Sequence, residues 1–124
     1  MNPAIKILLV DDEEAFTDVV SALLTAQGFK VEVANDGRSA LNQIRSASFD
    51  LVITDLNMPL LDGIQLIRQV RAFAKDQRFM VVTGYPSQES YQEAFEMGVL
   101  KYISKPFLPD RFINIVKESL NYSQ

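Results

Sequence analysis

Five times along the chain a short apolar run is followed by a stretch whose apolar residues recur at helical spacing. Ala4 to Val10, "AIKILLV", precedes Phe16, Val19, Val20, Leu23 and Leu24, a stripe that Gly28 is suited to close. Val31 to Ala34, "VEVA", precedes a short helix in "NDGRSALNQIRSA". Leu51 to Thr54, "LVIT", leads through a Pro/Gly loop to a helix from Gly63 to Ala74. Phe79 to Thr83, "FMVVT", leads to a helix between Ser87 and Met97, again with a glycine behind it. Lys101 to Ser104, "KYIS", passes "KPFLP" into a final helix with Pro109 in its first turn. Phe112, Ile115, Val116 and Leu120 form the expected buried stripe of that helix. Such alternation with short connections predicts a parallel sheet covered by helices on both faces.

The runs also suggest a strand order. The first, third and fourth are nearly continuous in apolar residues, as strands buried on both faces require. The second sets Val31 and Val33 against Glu32, and the fifth sets Tyr102 against Lys101 and, less cleanly, Ile103. Alternation of this kind marks edge strands. With right-handed crossovers, edges at the second and fifth strands give the order 2-1-3-4-5. The expected architecture is an α/β, doubly wound (βα)5 three-layer sandwich of the flavodoxin-like kind.

Composition narrows what this scaffold does. At 124 residues the chain is expected to form one domain over 1–124, and 48% hydrophobic with 23% charged residues is an ordinary globular balance. No segment approaches the ~20 apolar residues of a membrane span, and no signal-peptide pattern opens the chain. Cysteine is absent, which makes a reducing cytoplasm the expected compartment. Histidine is absent too, removing Ser-His triads and His-type zinc sites. A net charge of −4 argues against nucleic-acid contact by this domain.

The acids are unevenly placed. Asp11, Asp12, Glu13 and Glu14 follow the first strand directly. Ligands of doubly wound sheets bind beyond the carboxyl ends of the strands, at the switch point between strands one and three. Reading those ends gives Asp11 and Asp12, then Asp55, Thr83 and Lys105 on one rim. Carboxylates meeting there repel unless a cation or lysine compensates them. All-oxygen ligands with room for water and phosphate suit Mg²⁺. Asp11 and Asp12 are then metal ligands, while Glu13 and Glu14 sit in the first helical turn, where the dipole favours negative charge.

Each residue taken singly has a plainer role. Asp12 suits an N-cap, Asp55 an Asx-turn, and Thr83 a strand terminator bonded to the following backbone. Lys105 suits a solvated loop and Tyr102 a half-buried edge strand. Their coincidence on one rim is what these separate readings leave unexplained.

The segments "LLVDDEEAF", "LVITDLNMPLLDG", "VVTGY" and "YISKPF" together resemble the receiver domain of two-component response regulators, over essentially the whole chain and in the same order. The resemblance implies that Asp55 is the phosphoacceptor, receiving from a phosphohistidine on a sensor histidine kinase or histidine phosphotransfer protein. It implies Mg²⁺ coordination by the Asp12 and Asp55 carboxylates and the Asn57 main-chain carbonyl, with Asp11 acting mainly through a metal-bound water. Thr83 and Lys105 would contact phosphoryl oxygens, and Lys105-Pro106 would be a cis peptide. Thr83 and Tyr102 would form the switch, repacking the surface of the fourth helix, fifth strand and fifth helix. The thin apolar stripe of the fourth helix (Tyr91, Ala94, Phe95, Met97) suits an element that moves. A homodimer through that face is a further implied option.

Three other classes compete. A haloacid-dehalogenase-like phosphatase needs an acid two residues beyond its nucleophile, where this chain has Asn57. A flavodoxin-like electron carrier needs a phosphate cradle after the first strand, where "DDEE" stands. A degenerate receiver, a binding module independent of phosphorylation, would lack site residues that are all present. Beyond "NYSQ" no output domain follows, so a stand-alone regulator and a receiver cut from a longer regulator or hybrid kinase both stay open. The cognate kinase and the output partner are not legible.

Overall fold

The computed structural model describes residues 4–121, so the expected limits of the domain, 1 and 124, lie outside the described residues. The elements run β1 (Lys6–Val10), α1 (Glu14–Ala26), β2 (Lys30–Ala34), α2 (Gly37–Ser46), β3 (Leu51–Thr54), α3 (Gly63–Arg71), β4 (Phe79–Thr83), α4 (Gln88–Glu96), β5 (Lys101–Ser104) and α5 (Pro109–Leu120). All strand pairs are parallel, in the order β2-β1-β3-β4-β5 anticipated from the sequence. No helix among the described residues is long and apolar enough to cross a membrane.

Period-two alternation explains the near-continuous apolar strands. Leu8, Val10, Val52, Phe79 and Val81 face a core shared with Leu41 and Ile44 of α2 and Leu66, Ile67 and Val70 of α3. Ile7, Leu9, Leu51, Ile53, Met80 and Val82 face a second core with Val20 and Leu24 of α1 and Phe112 and Val116 of α5. Both faces of β1, β3 and β4 are covered, so their side chains are apolar except for Lys6 at the start of β1 and the threonines that end β3 and β4. β2 and β5 are the partly exposed edges.

Local signals set the helix ends. Asp36, Asp62 and Ser87 cap α2, α3 and α4 through side-chain oxygens that accept from Ser39, Gln65 and Ser90 N–H. At the far ends of α1 and α4, Gly28 and Gly98 adopt φ of +92° and +79°. This left-handed turn lets Gly28 N–H and Phe29 N–H reach the Thr25 and Leu24 carbonyls, and Gly98 and Val99 repeat the pattern on Phe95 and Ala94.

Several sequence expectations need correction. α3 ends at Arg71 rather than Ala74: Ala72 and Phe73 N–H turn to the Gln69 and Val70 carbonyls, three residues back, and the Arg71 guanidinium bonds the Gln77 carbonyl at 2.6 Å. The α1 stripe is narrower than expected: Thr17, Val20 and Leu24 are buried, whereas Val19 points to solvent. In α5 the buried set is Phe112, Ile113, Val116 and Ser119, with Ile115 and Leu120 only half-buried. Ser119 is tolerated there because its hydroxyl donates to the Ile115 carbonyl, 3.0 Å away. Asp12 does not cap α1; the N-cap is Glu13, which makes no side-chain capping bond. α4 is thin as expected, with Ala94 its one buried residue among those described.

Gly63, the first residue of α3, lies against the backbone just past β3. A Cβ there would meet the Asp55 carbonyl oxygen and the Leu56 Cα. Gly63→Ala should therefore cost roughly 1–3 kcal/mol despite the better helix propensity of alanine, seen as a lower urea midpoint.

Candidate functional site

The backbone carries each expected residue onto the same rim. Beyond β1, Asp11 N–H donates to the Ala34 carbonyl, and Asp55 N–H donates to the Val10 carbonyl, which sets Asp55 beside Asp11. Across the sheet, Lys105 N–H donates to the Thr83 carbonyl. The Lys105-Pro106 peptide is cis, as the resemblance implies.

One Asp55 oxygen is fixed and the other is offered. Oδ1 accepts from Leu56 N–H at 2.6 Å and Asn57 N–H at 3.2 Å, so the Asx-turn reading of Asp55 is correct as far as it goes. Oδ2 faces the Lys105 ammonium at 3.4 Å. Asp11 is organised in the same way, with Oδ1 accepting from Glu13 N–H at 2.9 Å and Oδ2 from Lys105 Nζ at 2.7 Å. Lys105 Nζ also reaches Glu13 Oε1 at 2.9 Å and sits 4.1 Å from the centroid of the Phe16 ring. Glu13 therefore serves the lysine rather than the helix dipole alone, and Lys105 is no solvated loop residue.

Asp11, Asp12 and Asp55 each present a carboxylate oxygen within 4.8 Å of the other two. Asp11 and Asp55 are buried while Asp12 is exposed. Burial pushes the Asp11 carboxyl above the usual carboxylate range, against the pull of Lys105 and the Glu13 N–H. For Lys105, burial acts to lower the pKa, but hydrogen bonds to Asp11 and Glu13 and the Asp55 charge outweigh it and raise the value. The ammonium stays charged. An excess of hard oxygen donors over positive charge is the chemistry of a small divalent cation rather than of a soft metal.

Sequence reasoning missed several contacts that tie these residues together. Asn57 donates through Nδ2 to Thr83 Oγ1 at 3.3 Å, and Thr83 Oγ1 also accepts from Tyr85 N–H at 3.1 Å. The Tyr102 hydroxyl accepts from Ser87 N–H at 3.2 Å and lies 2.6 Å from Ser90 Oγ. The Tyr102 ring meets Tyr91 edge-on at 5.3 Å. Tyr102 is thus the half-buried edge aromatic of the plainer reading, and it is also wired to the cap of α4.

A family model for the response regulator receiver domain matches residues 7–117. The chain belongs to that family. Transcriptional regulatory protein ZraR of Escherichia coli K12 is 35% identical over 119 residues, covering 96% of this chain and 27% of that protein. This receiver domain thus spans about a quarter of the length of that relative. A CheY-like receiver domain protein from Methanospirillum hungatei superposes with a TM-score of 0.93 at 29% identity, covering 97% and 96% of the two chains. The beryllofluoride-activated NtrC4 receiver domain dimer gives 0.89 at 29% identity, covering 96% and 98%. The chain is a receiver domain, a signalling switch. Phosphoacceptor function accords with this family, and nothing favours the degenerate alternative.

Tyr102→Phe would keep the ring on Tyr91 and remove the acceptor of Ser87 N–H. Amide exchange at Ser87 and the first turn of α4 should accelerate roughly fivefold, the worth of about 1 kcal/mol of hydrogen bond, while α1 exchanges as before.

Proposed function

We propose that the whole chain, residues 1–124, is one receiver domain that accepts a phosphoryl group on Asp55 from a phosphohistidine donor. The observation that carries the reading is the division of labour at Asp55: one oxygen tied to two backbone N–H groups, the other free to face Lys105. Asp55 attacks as its carboxylate; an O–P bond forms, the N–P bond of the donor breaks, and the imidazole leaves with the bonding electrons. Such transfer depends on positioning and charge neutralisation more than on covalent help. Lys105 and the Thr83 hydroxyl are the groups assigned to two phosphoryl oxygens; Lys105 already faces Asp55, and the Asn57 amide donates to the Thr83 hydroxyl at 3.3 Å. Asp12, Asp55 and the Asn57 main-chain carbonyl are the groups assigned to Mg²⁺, with Asp11 one layer further out. When bound, the ion would supply the positive charge that Lys105 alone cannot provide at the transferring oxygens.

The protein acts as a phosphorylated switch, not as an enzyme turning over a separate substrate, and promotes only its own phosphorylation and slow dephosphorylation. Thr83 and Tyr102 form the switch. Its readout is the α4, β5 and α5 surface, where a shallow pocket of about 480 Å³ is lined by Tyr91, Phe95, Lys101 and Tyr102 among others. That face suits an output domain, an effector protein or a second copy of this chain; the NtrC4 receiver forms a dimer. A sensor histidine kinase or histidine phosphotransfer protein is the assigned donor and the cytoplasm the assigned compartment.

Incubation with acetyl phosphate should add one phosphoryl mass to the intact protein only when Mg²⁺ is present, and Asp55→Asn should abolish the adduct. An adduct that survives in Asp55→Asn would sink the assignment. Tyr85 is 80% exposed two residues past Thr83, where its ring can screen the acyl phosphate from water. Tyr85→Ala should shorten the phosphoryl half-life severalfold in a timed-decay measurement; an unchanged half-life would discard the screening role.

A further inference from the structure

Glu13 is left without a task by the phosphoacceptor reading. It is the N-cap residue of α1, yet its side chain caps nothing. Its Oε1 instead lies 2.9 Å from Lys105 Nζ, nearer than Asp55 Oδ2 at 3.4 Å and second only to Asp11 Oδ2 at 2.7 Å. Phe16 presents its ring to the same ammonium, and that ring is backed by Phe107, which stacks on buried Phe112. Glu13 and Phe16 thus hold the ammonium on the α1 side, and Asp55 is the most distant of its carboxylate partners.

We propose that Glu13 is a positioning residue whose carboxylate parks the Lys105 ammonium, and so governs how readily Lys105 moves onto a phosphoryl group arriving at Asp55. The inference rests on Asp55 and Lys105 having the roles given above. An ammonium offers three donors on a flexible stem. All three have carboxylate partners, so a phosphoryl oxygen can be met only if one partner is released. Asp11 is 1% exposed, and stripping a charge partner from a buried carboxylate is costly. Asp55 Oδ2 frees its donor only once the O–P bond has formed, which is too late to help the phosphoryl group arrive. The Glu13 side chain is 66% exposed, so water takes over its hydration when the lysine leaves. Glu13 is the partner that can be given up. A weak, exposed ion pair holds the lysine in register at rest without trapping it.

The experiment is the phosphorylation of the full chain by acetyl phosphate and Mg²⁺, with acetate as the leaving group, timed by intact mass at a series of donor concentrations. Glu13→Gln keeps the shape of the side chain and removes its charge; Glu14→Gln removes an equal charge from the next residue. Glu13→Gln should raise the maximal rate roughly two- to fivefold, the range an exposed ion pair can supply, with the half-saturating donor concentration unchanged. Glu14→Gln should leave the maximal rate at the wild-type value. The proposal is overturned if Glu13→Gln does not raise the maximal rate, if the gain appears only in half-saturation, or if Glu14→Gln gives the same gain. Failure of wild type to form the Mg²⁺-dependent Asp55 adduct would instead remove the underlying reading.

Discussion

One ammonium among carboxylates makes this rim of the sheet possible. Lys105 Nζ lies within 3.4 Å of carboxylate oxygens from Asp11, Glu13 and Asp55. At such spacings like charges in a partly dry site repel strongly, and unpaired burial would drive them neutral. The lysine comes from the last strand end and the acids from the first and third, so the sheet must close correctly before any of them is compensated. The site is therefore a consequence of topology: each strand ends on the rim, and the next residue is already in place.

The backbone makes that placement exact to within a hydrogen bond. Val10 pairs with Thr54 in register, and Asp55 N–H extends the ladder by one bond onto the Val10 carbonyl. Thr83 pairs with Ser104, and Lys105 N–H adds the corresponding bond on the other side. Gly63 completes the arrangement by allowing α3 to start against the Asp55 carbonyl, an approach that any Cβ would obstruct. Functional side chains emerge directly from strands buried on both faces, which is why their positions are fixed without a large pocket around them.

How far this was legible in the sequence follows from the range of each interaction. Strands covered on both faces are nearly continuous in apolar residues, so β1, β3 and β4 announced themselves, and the alternation in "VEVA" marked an edge. The placement of Asp11, Asp12, Asp55, Thr83 and Lys105 on one rim was legible because each ends a strand or follows one within two residues. Helix limits were less so: α3 stops at Arg71, whose side chain bonds carbonyls of the following loop, and the stripe of α5 rotates onto Ile113 and Ser119 for packing reasons no local pattern carries. The contacts of Glu13 with Lys105, across 92 residues, and of Asn57 with Thr83, across 26, leave no periodic trace at all. Charge and polarity at those positions read equally well as ordinary surface.

α4 contributes little to the core, so what holds it is polar and peripheral. Arg71 Nε donates to the Met97 carbonyl at its C-terminal end, at 2.8 Å. At the other end, the connection from β4 has its Tyr85 N–H on the Thr83 hydroxyl and its Ser87 N–H on the Tyr102 hydroxyl. Pro86 lies between them and has no N–H to give. The two residues assigned to switching thus hold the same short segment from opposite sides. If Thr83 turns toward a phosphoryl oxygen, it gives up Tyr85 N–H. The loss is felt two residues on, where the N-cap of α4 is shared with Tyr102. A well-packed helix would absorb that change, because several kcal/mol of buried side chain would outweigh one hydrogen bond. A helix anchored by Ala94, the Tyr91–Tyr102 ring contact and a few polar bonds has little to set against such a loss.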